Sequence, residues 1–274
     1  MINLLENNMS TVTSKDGTKI AYETRGSGPA VILVDGALGF RGFGFGNPLA
    51  ELLSQHFTVY TYDRRGRGES TNSKPFAIER EIEDMEALIN ASGGPAYVYG
   101  ISSGACLALE AAIKLGKKIK KLAIYEPPYN SDPASLKSWR DYWNELHALV
   151  AANRRDEAVE LFMHFVGTPD EMINGMKSSP AWPMLTSVAP TLVYDAAEMG
   201  KDHTVPADRV THIQSQTMVL DGGLDMQYLP FFHTTASELA RAIPDAEQRT
   251  LEGQTHDVKA EVLAPVLVEF FMNS

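Results

Sequence analysis

A serine between two glycines is the residue of this chain best suited to covalent chemistry. Ser102 lies at the centre of Gly100-Ile101-Ser102-Ser103-Gly104, between an apolar, β-prone run and a helix-prone run. Small neighbours let a strand and a helix pass close together at a sharp turn, which lifts the serine hydroxyl out of the sheet edge. Such a turn also directs the Ser103 N–H and the start of the helix at the same point. The stretch therefore predicts an acyl-transfer nucleophile.

Alternating strand and helix patterns surround this turn. A hairpin pattern flanks Asp16-Gly17, and apolar strand patterns cover 30–34, 57–62, 96–99, 122–125 and 217–220, with an edge strand at 248–251. Helical patterns cover 47–53, 78–91, 105–112, 234–243 and 262–272. Strands that alternate with helices form parallel sheets with right-handed crossovers, and their functional groups collect at the carboxyl ends of the strands. The predicted fold class is α/β, with a mostly parallel, twisted sheet flanked by helices.

A long helical insertion interrupts this alternation. It carries helical patterns at 135–150, 156–166 and 169–176 but no buried strand pattern. Long connections that have structure of their own are typically functional lids. We therefore predict a flexible tail at 1–10, a core made of 11–129 and 209–274, and a helical cap at 130–208.

Composition narrows the class of partner. The 274 residues carry a formal net charge of -11, which disfavours nucleic acid and anionic membrane surfaces. Cys106 is the single cysteine, so an internal disulfide and a multi-cysteine metal site are excluded. Neither a secretory signal nor a membrane-spanning run is visible, and a cytoplasmic location is expected. Because no phosphate loop or metal-ligand spacing occurs, we expect a small-molecule substrate with an apolar part, and no cofactor or metal.

Further motifs accompany the serine turn. Asp35-Gly36 follows an early strand, Asp63-x-Arg65-Gly66-x-Gly68-x-Ser70 follows the next, and Gly253-x-x-His256 follows the last. With these motifs and the helical insertion, the chain from about 18 to 271 resembles the α/β-hydrolase superfamily. Glu126-Pro127-Pro128 and Gly253-Gln254-Thr255-His256-Asp257 make it similar to uncharacterised, cap-bearing bacterial serine hydrolases with a Glu-Pro-Pro turn. The resemblance implies an α/β-hydrolase fold and a Ser-His-acid triad.

The resemblance also implies a role for each candidate residue. Ser102 is the nucleophile and needs a base, which His256 supplies near neutral pH. Asp225 lies where the superfamily usually carries the acid that orients the imidazole, and Glu126, after the preceding strand, is the alternative. The N–H groups of Ser103 and Ala37 form the oxyanion hole.

One position departs from the family pattern. The loop that usually begins His-Gly begins here with Asp35-Gly36. A carboxylate near a developing oxyanion opposes it unless the carboxylate is paired or turned away, and Arg41, Arg64 or Arg65 could pair with it. We therefore expect Asp35 to modify the rate or the type of reaction. The arginines of the 63–70 loop are expected mainly to brace neighbouring loops, because polar loop groups need partners.

Three functions fit these residues. The leading prediction is hydrolysis of a small ester, thioester or lactone through an acyl-enzyme. The first alternative is a lyase, a carbon–carbon hydrolase or a cofactor-free oxygenase that uses the same triad. The second is a non-catalytic receptor for a small ligand on a hydrolase fold. The sequence leaves the substrate and the oligomeric state open.

Overall fold

A single mixed sheet organises the computed structural model, which describes residues 10–44 and 46–273. The strands are β1 (Ser10–Thr13), β2 (Lys19–Arg25), β3 (Ala30–Val34), β4 (Thr58–Tyr62), β5 (Ala96–Ile101), β6 (Ile119–Tyr125), β7 (Gln216–Gly222) and β8 (Ala246–Leu251). They form an eight-stranded sheet in the order β1-β2-β4-β3-β5-β6-β7-β8. The first two strands pair antiparallel and β3 to β8 are parallel, which confirms the predicted fold class. Of the predicted tail, 1–9 lie outside the described residues and Ser10 begins β1.

Helices connect these strands and fill the long insertion. They are α1 (Gly46–Leu53), α2 (Ile78–Ala91), α3 (Ser103–Leu115), α4 (Ser135–Ala151), α5 (Arg155–Phe165), α6 (Asp170–Lys177), α7 (Ala181–Val188), α8 (Leu192–Met199), α9 (Ala207–Val210), α10 (Asp225–Tyr228), α11 (Phe231–Ala242) and α12 (Ala260–Met272). The sequence patterns did not predict α7 and α8. Pro183 lies in the first turn of α7, where proline is tolerated but breaks the sequence pattern of a helix. In the described ranges, no helix combines the length and apolarity needed to cross a membrane.

Both faces of the sheet are covered, which explains why its central strands are continuously apolar. In β3, Val31 and Leu33 join the apolar cluster that contains α1 and α12. Ile32 and Val34 point to the opposite face and join the cluster that contains α2, α3 and α11. This alternation follows from the two-residue period of a strand.

We call residues 130–208, which contain α4 to α8 and the first two residues of α9, the helical insertion. A third apolar cluster holds it together, with Trp139 and Leu146 of α4 packed with Val159 of α5 and Leu192 of α8. Buried Leu38 belongs to the same cluster, and Ala37 and Phe40 pack against it. The insertion therefore packs directly on the loop that follows β3.

Candidate active site

Ser102 is the single residue between β5 and α3, and its backbone is strained. Its φ and ψ are 56° and −130°, a region that L-residues other than glycine rarely occupy. Its N–H donates to the Tyr125 carbonyl at the end of β6 over 3.0 Å. Strained residues of this kind cluster at functional sites, where the surrounding structure holds them.

Three glycines allow the close approach on which this turn depends. A Cβ on Gly104 would lie 2.3 Å from the Val34 carbonyl oxygen, and one on Gly100 would lie 2.5 Å from that of Gly104. A Cβ on Gly36 would lie 2.9 Å from Cβ of Ser102. The loop after β3 therefore touches the serine directly.

The two predicted oxyanion donors are sequence neighbours of the two residues in this contact. Ser103 is the first residue of α3, so its N–H has no acceptor within the helix. Ala37 follows Gly36 in the loop that contacts Ser102. Ser103 is thus next to Ser102 in the chain, and Ala37 is next to the glycine that contacts Ser102.

His256 follows β8 and is held from two sides. Its Nδ1 lies 2.8 Å from Oε2 of Glu126, and its ring stacks on Phe232 with centroids 5.0 Å apart and planes at 12°. The Tyr125 hydroxyl fixes the preceding residue by donating to the Thr255 carbonyl over 2.7 Å. These contacts leave Nε2 as the ring nitrogen for a second partner.

The Ser102 hydroxyl does not form a hydrogen bond with the imidazole of His256 among the described residues. Across residues 10–44 and 46–273, no hydrogen bond links Oγ of Ser102 to His256. Catalytic hydrogen bonds of this type are often long in a ligand-free enzyme and tighten when substrate binds.

The structure places Glu126, and not Asp225, on the imidazole. Glu126 is fully buried, and its Oε1 accepts the Gly222 N–H over 2.7 Å while its Oε2 faces His256. Its φ of 46° turns the side chain immediately after β6 toward the histidine loop. We expected Asp225 to contact Nδ1 of His256, with Glu126 as the alternative, and the structure shows the alternative. The cause is a backbone turn that the residue order does not reveal.

Asp225 lies beside this pair. Burial raises the pKa of its carboxyl and the negative charge of Glu126 raises it further, while the backbone N–H of His256 opposes the shift. Its Oδ2 is buried without a hydrogen-bond partner among the residues that the structure describes. Two neighbouring carboxyl groups therefore share this corner of the site.

The Asp35 carboxylate points toward α1. A Cβ on Gly44 would lie 2.6 Å from Oδ2 of Asp35, and the Gly46 N–H donates to the carboxylate. Burial raises the pKa of this carboxyl to about 6, against the opposing positive charges of Arg67 and Arg64. The contact with the Gly46 N–H puts the carboxylate at the N-terminus of α1, where a negative charge is favoured.

None of the three arginines expected to pair with Asp35 does so within the described chain. Arg41 binds Glu23, Asp63 and Glu69. Arg65 binds Asp84 and Asp16. Arg64 contacts Asp35 through the backbone carbonyl alone, over 3.4 Å, and not through the carboxylate. The expected pairing was wrong because these side chains brace other loops and helices.

Sequence patterns also missed residues that support the site. Tyr125 and Phe232 hold the histidine loop, and Asp195 on α8 accepts a hydrogen bond from Oγ of Ser103 over 2.8 Å. The position of Tyr125 at a strand end was the only signal for any of them. In the part of the chain that is described, no group of three or more His, Cys, Asp or Glu side chains is arranged to hold a metal ion.

Comparison with known proteins gives the same architecture. A family model described as "Alpha/beta hydrolase family" matches residues 31–265. The solved structure of an alpha/beta hydrolase from Sphaerobacter thermophilus is 48% identical, with 96% of this chain and 100% of that chain covered and a TM-score of 0.83. The uncharacterized hydrolase YraK of Bacillus subtilis is 35% identical over 115 residues, which span 40% of this chain and only 42% of YraK. The enol-lactonase of Burkholderia xenovorans shares the fold at 20% identity, with 96% of this chain and 100% of that chain covered and a TM-score of 0.68.

Proposed function

Because the chain belongs to the α/β-hydrolase family, we propose that it is a serine hydrolase that cleaves a small ester, thioester or lactone through an acyl-enzyme. The observation that carries this proposal is the 2.8 Å contact between Nδ1 of His256 and the buried carboxylate of Glu126. This pair lies at the same sheet edge as the strained Ser102. A base oriented by a buried acid is what a serine hydroxyl needs to become a nucleophile.

The first half of the reaction forms the acyl-enzyme. Oγ of Ser102 attacks the carbonyl carbon while Nε2 of His256 removes the hydroxyl proton. Glu126 accepts the Nδ1 proton in a hydrogen bond and stabilises the imidazolium that forms. The oxyanion is held by the N–H groups of Ser103 and Ala37. When the bond to the leaving group breaks, His256 gives it the proton.

The second half regenerates the enzyme. Water attacks the acyl carbon as His256 removes one of its protons, and the bond from the acyl carbon to Oγ of Ser102 breaks. The proton returns to Ser102, and the acid product leaves. The helical insertion acts in this scheme as a cap over the strand ends.

An apolar rim next to the site supports a substrate with an apolar part. The segment 224–229 around Asp225 exposes 42% of Leu224, 45% of Met226, 71% of Tyr228 and 40% of Leu229. Exposed apolar side chains grouped beside a polar site are typical of substrate-binding surfaces. Chain length in the acyl or alcohol group is therefore the first variable to test.

Fluorophosphonate labelling combined with a screen of p-nitrophenyl esters and lactones of increasing chain length tests the proposal. We expect labelling of the wild type and none of Ser102→Ala. Replacing the acid of a Ser-His-Asp triad by its amide lowers kcat by about 10⁴-fold. We therefore expect Glu126→Gln to lower kcat by about 10³-fold or more. The matched control is Asp225→Asn, which changes the neighbouring carboxyl and should cost far less.

Two results would contradict this scheme. Turnover that survives Ser102→Ala would exclude an acyl-enzyme and favour the lyase, carbon–carbon hydrolase or oxygenase alternatives. Tight binding of a small apolar molecule by a folded protein that is neither labelled nor active would favour the receptor.

A further inference from the structure

A buried ionic cluster joins the helical insertion to the residues around Ser102. Oδ1 of Asp195 on α8 accepts hydrogen bonds from Oγ of Ser103, from Nη1 of Arg64 and from Nη2 of Arg67, each 2.8 Å long. Oδ2 also accepts from Nη2 of Arg67, over 2.8 Å. Asp195 is 3% exposed and both arginines are 1% exposed, so solvent does not screen these contacts.

Arg67 connects this cluster to the loop that follows β3. Its Nη1 donates to the carbonyl oxygen of Gly36 over 2.7 Å and to that of Gly39 over 3.1 Å. The Gly36 carbonyl and the Ala37 N–H belong to one peptide group, which is planar and normally trans. They therefore point in opposite directions, and a hydrogen bond that fixes the carbonyl also fixes the direction of the Ala37 N–H.

Asp195 thus acts on both sides of the proposed oxyanion hole. It holds the side chain of Ser103 directly, and through Arg67 it holds the Gly36–Ala37 peptide. We infer that Asp195, from the helical insertion, is a positioning residue that sets the two oxyanion N–H groups in their working orientation. This inference rests on the proposed acyl-transfer function and adds a residue that the triad does not include.

A conservative change exposes this role. In Asp195→Asn one carboxylate oxygen is replaced by an NH₂ group that can only donate. With the NH₂ group in the place of Oδ2, it would face Nη2 of Arg67, which also donates, so that contact breaks. The remaining carbonyl oxygen is uncharged and binds Ser103, Arg64 and Arg67 more weakly than the carboxylate does. Arg67 would then be held less firmly, and the Gly36–Ala37 peptide would keep its hydrogen bond from the Gly39 N–H but lose part of the support from Arg67.

A matched control separates positioning from simple loss of stability. Asp84 on α2 is 1% exposed and forms a buried pair with Arg65, with contacts of 2.8 Å and 2.7 Å. Arg65 comes from the same 63–70 loop as Arg67, but its further contacts go to Asp16 and to the Arg80 carbonyl. Asp84→Asn therefore breaks an equivalent buried pair that does not reach the oxyanion loop.

The experiment measures the unfolding midpoint, kcat, KM and the rate of fluorophosphonate labelling for the full-length wild type and both variants. We expect both variants to lose stability. Removing one oxyanion donor typically costs about 10²- to 10³-fold in kcat, so displacing the donors should lower kcat of Asp195→Asn about 10-fold or more. KM should change little and the labelling rate should fall in parallel, because these donors act in the transition state. Asp84→Asn should retain kcat and labelling.

Equal losses of kcat in the two variants, or a change confined to KM in Asp195→Asn, would overturn the inference. If Asp195→Asn does not fold, Ser103→Ala replaces it, because it removes the contact with Asp195 and keeps the backbone N–H. An unchanged kcat and labelling rate in Ser103→Ala would then overturn the inference. A wild-type protein that resists labelling would instead reject the proposed function, so the two failures differ.

Discussion

Asp35 makes the stability of this protein depend on pH, and Asp35→Asn should remove that dependence. Burial raises the pKa of this carboxyl from 3.8 to about 6. The folded state therefore holds the proton more tightly than the unfolded state does. The resulting stabilisation is complete below the unfolded pKa and is lost as the pH rises through about 6. The asparagine variant does not titrate and escapes this loss.

The size of the effect follows from the shift. A change of about two pKa units corresponds to about 3 kcal/mol between the protonated and ionised limits. About 2 kcal/mol of this falls between pH 4.5 and 7.5, where measurement is practical. The stability of Asp35→Asn relative to wild type should therefore grow by about 2 kcal/mol over this interval, or by about 4 °C in Tm.

Denaturant unfolding of both proteins at a series of pH values measures this difference, in which all other titrating groups cancel. Asp16→Asn is the control. Burial opposes ionisation of Asp16, but Arg65 and Thr18 hold the pKa of its carboxyl well below the usual range. Asp16 remains charged from pH 4.5 to 7.5, so its replacement should shift stability by a constant amount. A stability difference for Asp35→Asn that is equally independent of pH would refute the argument from burial.

Two further changes test the packing around the nucleophile. Gly104→Ala would place a Cβ 2.3 Å from the Val34 carbonyl oxygen, so it should lower the free energy of unfolding by about 3 kcal/mol and slow fluorophosphonate labelling; an unfolding midpoint equal to that of wild type would contradict the close approach. Tyr125→Phe removes the 2.7 Å hydrogen bond to the Thr255 carbonyl and should cost about 1 kcal/mol of stability. It should also lower kcat more than it raises KM, because the histidine loop loosens; steady-state kinetics that match wild type would assign the bond to stability alone.

The sheet was predictable because its strands are buried on both faces. The run at 30–34 is apolar throughout, and the structure forms β3 from the same residues, Ala30–Val34. The hairpin around Asp16-Gly17 was equally clear, since the strands on both sides alternate in period two, and the structure pairs them antiparallel. The turn at Ser102 followed from the β-prone run before it and the helix-prone run after it.

The supporting contacts were not predictable, since they depend on pairs that are distant in the chain. Ser103 and Asp195 are 92 positions apart, and Arg67 and Asp195 are 128 apart. Asp195 also lies on α8, which the sequence pattern did not reveal. The arginines of the 63–70 loop were expected to brace loops, but their partners on the helical insertion required the fold.

The triad acid shows most clearly where residue order stops being informative. Tyr125 and Leu220 are paired in register on parallel strands β6 and β7, so acids that follow either strand reach the same corner. Glu126 follows its strand at once, and the Gly222 N–H holds it toward His256. Asp225 follows β7 after a short turn and is buried next to Glu126, which already contacts the Gly222 N–H and His256. Burial raises the pKa of the Asp225 carboxyl, and the like charge of Glu126 raises it further. Glu126 is therefore the carboxyl group placed to stabilise the imidazolium that would form during acyl transfer.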